Sequence, residues 1–161
     1  MANGVDVARI PMQLSRGCIV VSIQVDLSDA VLAQFRVDLL DLLQSSGAEA
    51  VILDVSGIAI MDLEEFQALR DTMSMAALMG ARTIFSGFQA GVVSALVELD
   101  ARTDDIKAAS NLDAAFELLE PAATAAPETT DDDESESAPP NDPASAEGRP
   151  ASLLPENDLG H

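Results

Sequence analysis

The sequence has very few aromatic residues, and it contains no tryptophan and no tyrosine. Aromatic residues make up 3% of the chain, whereas hydrophobic residues as a whole make up 48%. This apolar content is typical of a globular domain with a packed core. We therefore expect an aliphatic core, built mainly from leucine, isoleucine, valine, methionine and alanine.

Cysteine and histidine each occur once, as Cys18 and as the last residue, His161. A single cysteine excludes a disulfide within the chain and suits a reducing cytoplasm. The apolar run "GCIVVSI" predicts a buried thiol rather than a redox centre. With one terminal histidine there is no Ser-His or Cys-His pair, and no glycine-rich phosphate loop is present. We therefore expect neither an enzyme nor a cofactor.

Basic residues are also scarce. The sequence has 8 Lys and Arg and 28 Asp and Glu, which gives a net charge of −20. Both residues 1–120 and residues 121–161 are strongly acidic. Such a surface repels phosphate backbones and acidic lipids, so we expect neither nucleic acid nor a membrane as a partner. The acidic run 131–136 is typical of a solvated tail, and we expect no metal site. Without an apolar run of signal-peptide or membrane-spanning length, a cytoplasmic protein is predicted.

Hydrophobic periodicity predicts a hairpin followed by a helix in the first 50 residues. Two apolar runs at 10–15 and 18–24 are separated by "SRG", which indicates a β-hairpin. The pattern then becomes helical, with Ser28 as the N-cap and Gly47 at the end of the helix. The apolar face of this helix comprises Val31, Leu32, Phe35, Leu39, Leu42 and Leu43.

Strands and helices alternate through the rest of residues 1–120. "AVILDVSG" and "ARTIFSG" read as buried strands, and a helix "MDLEEFQALRDTMSMAALMG" lies between them. A third helix in "FQAGVVSALVELD", a short edge strand in "TDDIKAAS" and a last helix in "NLDAAFELLE" follow. The last helix has Asn111 as its cap, and its predicted apolar contacts are Ala115, Phe116, Leu118 and Leu119. The order β-β-α-β-α-β-α-β-α predicts an α/β domain with a mixed, mostly parallel sheet and an antiparallel edge hairpin.

Residues 121–161 differ in composition from the rest of the chain. Pro121 ends the last helix, and the segment after it is rich in proline, alanine and serine and carries 10 Asp and Glu with one Arg, Arg149. Bulky apolar residues are almost absent. This composition predicts a disordered acidic tail that follows a single folded domain.

An acidic cluster opens the second helix. Asp62 and Glu65 form the D-x-x-E pattern of a capping box, and Glu64 adds negative charge at the positive end of the helix dipole. Helix capping accounts for all three carboxylates. A regulatory site at the same turn remains the alternative.

Three segments resemble the STAS-domain anti-sigma factor antagonists, and among these the RsbS-type small subunit of the bacterial stressosome. They are "IPMQLSRGCIVVSIQVDLSD", "VILDVSGI" and "MSMAALMGARTIFSGFQAGVVSALVELD", and the resemblance covers about residues 8–120. It implies a STAS-like fold and a scaffold that binds RsbR-type paralogues and sequesters an RsbT-type serine kinase in stress signalling. Homo- and hetero-oligomers are implied as well. The alternative is a stand-alone antagonist that binds an anti-sigma factor directly.

The resemblance also implies where regulation takes place. In the family a phosphorylatable serine follows the aspartate that opens the second helix, and this chain has Leu63 after Asp62. The implied partner-binding and regulatory residues are Asp62, Leu63, Glu64 and Glu65. Without the serine, two states are open to the protein. The fixed carboxylates could mimic the phosphorylated state that releases the partner, or the protein could stay locked in the state that binds it. We favour the locked binding state.

Two other serines are candidate phosphoacceptors. Ser86, in "IFSGFQ", matches a second family position at the end of the fourth strand, but we favour its interpretation as an N-cap for the third helix. Ser56, in "DVSGI", offers a hydroxyl in a predicted turn before Gly57.

Overall fold

The computed structural model describes residues 6–121. Within them, five strands and four helices follow one another in the predicted order. The elements are β1 (Met12–Ser15), β2 (Cys18–Ser22), α1 (Asp29–Ser46), β3 (Ala50–Asp54), α2 (Leu63–Leu78), β4 (Arg82–Ser86), α3 (Ala90–Glu98), β5 (Ala108–Ala109) and α4 (Leu112–Leu119). The predicted acidic tail lies, apart from Pro121, outside the described residues.

The strands form one mixed sheet in the order β1-β2-β3-β4-β5. β1 and β2 are antiparallel, and the pairs from β2 to β5 are parallel. Arg16 and Gly17 connect the hairpin with φ values of 53° and 75°. Positive φ at both central residues is typical of the two-residue turns that join antiparallel strands. The mostly parallel sheet with an antiparallel edge hairpin is therefore confirmed.

Helices cover both faces of the sheet, which explains the continuous apolar sequence of β3. The larger core joins α1, α2 and α3 to one face of the sheet, where Val51 and Leu53 lie. The smaller core joins α4 to the other face, where Ala50 and Ile52 lie. Because successive side chains of a strand point to opposite faces, a strand covered on both sides has no position left for solvated polar residues.

The first helix agrees with its predicted cap and with most of its predicted face. Ser28 Oγ accepts a hydrogen bond from the Val31 N–H at 3.3 Å, and Gly47 follows the helix in the left-handed conformation with φ 67°. Its buried residues are Val31, Leu32, Phe35, Leu39 and Leu43. Leu42 is only partly buried, because it lies at the margin of the apolar face.

The predicted contacts of the last helix need one correction. Asn111 caps α4 as predicted, since its Oδ1 accepts the Ala114 N–H at 2.9 Å. Ala115 and Leu119 are buried and Phe116 is partly buried, but Leu118 is 58% exposed. The helical period places Ala115 and Leu119 one above the other toward the sheet, and it turns Leu118 toward solvent.

The parallel strands bring three connecting segments to one edge of the sheet. Ser22, Asp54 and Ser86 are in register at the carboxyl ends of β2, β3 and β4. The segments 23–28, 55–62 and 87–89 follow these strands, and we call them together the carboxyl edge. In open α/β sheets, functional sites occur preferentially at this end of the strands.

Candidate functional site

The turn that opens α2 is a complete capping box. The Asp62 carboxylate accepts the Glu65 N–H at 2.8 Å, and the Glu65 carboxylate accepts the Asp62 N–H at 2.9 Å. These bonds satisfy two backbone donors that the helix itself leaves without partners. Glu64 is exposed in the same turn and takes no part in the box. The predicted cap is therefore confirmed, and two of the three carboxylates of the cluster are used within it.

Two apolar side chains flank the cap. Leu63 is the first residue of α2 and is partly buried. Ile60 is 87% exposed, although its neighbours Ile58 and Met61 are both buried. An isoleucine exposed to this degree contributes nothing to the core and leaves a large apolar surface in water. Ile60 thus gives the carboxyl edge an apolar component, and Leu63 adds to it from the adjoining first turn of α2.

A cleft of about 490 Å³ lies between the segment after β2 and the segment before α2. Gln24, Leu27 and Ser28 line one side of it, and Ile58 and Ile60 line the other. Glu65 of the capping box also lines the cleft. The cap, the exposed isoleucine and the cleft therefore form one continuous surface.

This surface is acidic. Asp26, Asp62 and Glu64 are exposed there. The sequence has no lysine or arginine from residue 17 to residue 35, or from residue 37 to residue 69. Arg9, which precedes β1, lies with its Nη1 3.7 Å from Asp38 Oδ1. Such a surface attracts cationic groups and repels phosphate.

The segments of the carboxyl edge are packed tightly on one another. The Gln89 side-chain amide donates to the Ser56 carbonyl at 2.7 Å, and Asp54 Oδ1 accepts the Ser56 N–H at 3.0 Å. Gly87 has φ 78°, and a Cβ on it would lie 2.8 Å from the Ser56 Cβ. A side chain at position 87 would therefore both strain the backbone and collide with its neighbour.

The two candidate phosphoacceptors differ in exposure. Ser56 is exposed at the carboxyl edge, whereas Ser86 is 0% exposed, and its Oγ has no hydrogen-bond partner among the described residues. Ser86 is the last residue of β4, and the residue that caps α3 is Gln89. The favoured interpretation of Ser86 as an N-cap is wrong, because Gly87 and Phe88 separate it from Gln89, which holds the N-cap position of α3.

A smaller cavity of about 260 Å³ lies at the opposite end of the sheet, where Arg16, Cys18 and Arg82 line it. Arg16 stacks over the Phe116 ring at 5.0 Å, which closes the end of the smaller core. Burial raises the pKa of the Cys18 thiol, and the nearby arginines only partly oppose this effect. The arrangement is that of a packed structural cysteine.

Within residues 6–121, no group of three or more His, Cys, Asp or Glu side chains is arranged to hold a metal ion. No helix among these residues is both long and apolar enough to cross a lipid bilayer.

The sequence matches the model of the STAS domain over residues 9–115. The chain belongs to the STAS domain family. Its fold is similar to that of a serine-to-glutamate variant of RsbS from Moorella thermoacetica, with a TM-score of 0.61 and 22% identity over 70% of this chain and 95% of that chain. No protein of curated function shows significant similarity to the sequence.

Two further solved structures share the fold of this STAS domain. A structure described as the molecular architecture of the stressosome, a signal integration and transduction hub, matches with a TM-score of 0.61 and 23% identity over 68% of this chain and 95% of that chain. The anti-sigma factor antagonist SpoIIAA in its unphosphorylated form matches with a TM-score of 0.54 and 14% identity over 68% of this chain and 96% of that chain. The predicted STAS-like fold is therefore confirmed.

The cap of this STAS domain is predictable from its sequence, but the rest of the surface is not. The four predicted partner-binding residues lie together at the start of α2. They are the N-cap Asp62 and the first-turn residues Leu63, Glu64 and Glu65. The exposed Ile60, the cleft and the Gln89 contact to Ser56 were not predicted. An isoleucine just before a helix cap does not by itself indicate an exposed contact residue, because the neighbouring apolar residues Ile58 and Met61 are buried.

Proposed function

We propose that this STAS domain is a non-enzymatic, cytoplasmic scaffold of a stressosome-like complex that binds and sequesters an RsbT-type serine kinase. The observation that carries the proposal is Leu63, an apolar and partly buried residue directly after the cap Asp62. In the resembled family this position holds the serine whose phosphorylation releases the partner. A leucine cannot accept a phosphoryl group, so the usual release step is missing.

The capping box favours a locked binding state over a permanent mimic of phosphorylation. The carboxylates of Asp62 and Glu65 accept backbone hydrogen bonds within α2, so both are held close to the helix. A phosphoserine would add a charge of about −1.5 to −2 and three acceptor oxygens at position 63 itself. Leu63 offers an apolar contact at that position. The kinase therefore docks over Leu63 and Ile60, with Glu64 at the margin.

The charge of the surface indicates what the partner must provide. Asp26 and Glu65 line the cleft, and Asp62 and Glu64 are exposed in the adjoining capping turn. A complementary kinase surface carries lysine or arginine opposite them and an apolar pocket for Ile60. RsbR-type paralogues and further copies of this chain join the same assembly, so that it contains both hetero- and homo-oligomeric contacts. If phosphorylation still regulates the assembly, Ser56 is the accessible acceptor, and Ser86 requires the segment 87–89 to open first.

Binding of the purified chain to an RsbT-type kinase from the same cells, measured by calorimetry, tests the proposal. Leu63→Glu is expected to weaken binding at least about tenfold, since it puts a desolvated charge in the contact. A glutamate in the first turn of a helix is compatible with the helix dipole, so the fold is retained. Leu118→Glu, on the exposed side of α4, is the matched control and is expected to leave affinity unchanged.

Leu63→Ser supplies the complementary gain-of-function experiment. With ATP and the kinase present, this variant is expected to become phosphorylated at position 63 and then to release the kinase. The wild-type chain is expected to retain the kinase under the same conditions. Wild-type protein that does not bind the kinase, or binding that Leu63→Glu leaves unchanged, would contradict the proposal.

A second candidate is a stand-alone antagonist that binds an anti-sigma factor directly. The shared fold with SpoIIAA favours this candidate. Isolation of the native complex distinguishes the two. A very large particle that contains STAS paralogues and a kinase supports the scaffold, whereas a small complex with one anti-sigma factor supports the antagonist.

A further inference from the structure

The third helix begins differently from the other three described helices. Each of the others has a side-chain oxygen that accepts a backbone N–H of the first turn, and it belongs to Ser28, Asp62 or Asn111. Gln89 holds the same position at the start of α3, but its side chain makes no such bond. Glutamine is not among the residues that favour this position. The first turn of α3 therefore lacks a stabilising contact that the other helices have.

The Gln89 side chain makes a distant contact instead. Its Nε2 donates to the Ser56 carbonyl at 2.7 Å. Among residues 6–121, this is the only side-chain hydrogen bond that reaches the segment 55–62 from more than three positions away in the sequence. Ser56 is exposed, so its carbonyl could bond to water if the amide were absent. The bond therefore adds little to the stability of the fold, and its main effect is on the position of the segment.

The residues before Gln89 hold its amide firmly in place. Phe88 stacks on Phe85 with the ring centroids 5.5 Å apart. Gly87 comes so close to the segment 55–62 that a Cβ on it would lie 2.8 Å from the Ser56 Cβ. The donor is thus fixed next to its acceptor before any partner arrives, and little further ordering is needed.

The segment that receives this bond carries the exposed isoleucine of the carboxyl edge. The Ser56 N–H donates to Asp54 Oδ1 at 3.0 Å, so both backbone polar groups of Ser56 are bonded. Ile58 and Met61 are buried on either side of Ile60. Ile60 is 87% exposed and has no packing of its own to hold it. Its position therefore depends on the hydrogen bonds and the buried neighbours of its segment.

We propose that Gln89 is a positioning residue, which holds the segment 55–62 in the conformation that the kinase binds and leaves α3 without a side-chain cap. The inference rests on the proposed function and deepens it. If Gln89 had a merely structural role, binding would follow stability. With the positioning role, the two respond in opposite directions, because a residue that caps α3 strengthens the helix and releases the segment.

Gln89→Asn tests the inference by removing one methylene group from the full chain. Asparagine is among the best N-cap residues, and the backbone at position 89 is already extended, with φ −76° and ψ 146°. The shorter amide no longer reaches the Ser56 carbonyl. The midpoint of urea denaturation is expected to stay the same or to rise. The dissociation constant for the kinase, measured by calorimetry, is expected to rise about fivefold.

Two other variants complete the comparison. Gln89→Met keeps the length of the side chain without a donor or a charge, and it is expected to weaken kinase binding as much as Gln89→Asn. Gln34→Asn is the matched control, because Gln34 Nε2 donates to Asp38 Oδ1 at 2.7 Å within α1. This control is expected to lower the denaturation midpoint slightly, since asparagine is a poorer helix former, and to leave kinase binding unchanged.

The order of the segment is also measured in the free protein, by nitrogen-15 relaxation. The backbone order parameters of residues 57–60 are expected to be lower in Gln89→Asn than in the wild type. Unchanged order parameters would overturn the inference, as would a Gln89→Asn variant that binds the kinase as tightly as the wild type. Lower order parameters in a protein whose wild type does not bind the kinase would support the positioning role and contradict the proposed function alone.

Discussion

Replacing Gly57 by alanine tests how tightly the carboxyl edge is packed. A Cβ at this position would lie 2.6 Å from the carbonyl oxygen of Ile23 and 3.5 Å from Gln24 Cγ. The Ile23 oxygen is a backbone atom, and its residue is held by a hydrogen bond from the Ile23 N–H to the Asp54 carbonyl at 3.0 Å. Neither segment can therefore move away without disturbing the end of the sheet.

The expected loss follows from two opposing effects. Overpacking at a site that cannot relax costs about 1–3 kcal/mol. Alanine regains about 0.4–1 kcal/mol, because it restricts the unfolded chain more than glycine does. We expect the free energy of unfolding of Gly57→Ala to fall by about 1–2 kcal/mol. For a domain of this size, the melting temperature is then lower by about 4–8 °C.

Gly91→Ala provides a matched control with the opposite sign. Gly91 lies in the first turn of α3, and a Cβ there would meet nothing within 4 Å. The same substitution is expected to stabilise the protein by about 0.5 kcal/mol. Both variants are compared with the wild-type protein by urea denaturation at one protein concentration. If Gly57→Ala is as stable as Gly91→Ala, the close approach of the segments after β2 and β3 is not present in solution.

Three further predictions concern single side chains. Asp62→Ala removes the acceptor of the Glu65 N–H and is expected to lower the free energy of unfolding, measured by urea denaturation, by about 1 kcal/mol. Asp62→Asn is expected to be close to wild type, and equal losses in the two variants would contradict the cap. The two hydrogen bonds from Arg70 hold the pKa of the Asp105 carboxyl below its ordinary value of 3.8. The stability gained from this pair is therefore present above pH 3.8 and lost as the pH falls through the lower native value, so Asp105→Asn and wild type should converge only in acid. Burial raises the pKa of the Cys18 thiol, so a disulfide reagent should react slowly with the native protein and rapidly in urea, and equal rates would refute a buried thiol.

The sequence was most informative where a structure depends on residues close to one another in the chain. The caps Ser28, Asp62 and Asn111 were all predicted, because each accepts a backbone N–H three residues later. The alternation of strands and helices was also predicted, since each element has its own hydrophobic period. The helical period alone did not identify Leu118 as an exposed residue. Four apolar positions in a short helix cannot all face the sheet, and one of them had to face solvent.

The parts of the site that sequence reasoning missed depend on contacts between distant residues. The Gln89 amide meets the Ser56 carbonyl across 33 positions of sequence. The close approach at Gly57 depends on the end of a different strand. Ser86 was a reasonable cap by composition, but β4 extends through it and α3 begins only at Ala90. Ile60 and Met61 are adjacent and apolar, yet one is exposed and the other is buried.

Salt should weaken kinase binding, and this expectation follows from the charge of the proposed docking surface. Asp26 and Asp62 are exposed at the carboxyl edge, and Glu64 is exposed in the adjoining first turn of α2. Added salt screens their attraction for a basic partner and so weakens kinase binding. The affinity for the kinase, measured by calorimetry at increasing salt concentration, is expected to fall steadily, and most steeply at low salt. An affinity that salt leaves unchanged would show that the kinase does not bind this acidic surface, because an exposed charge pair is screened by salt whereas an apolar contact is not.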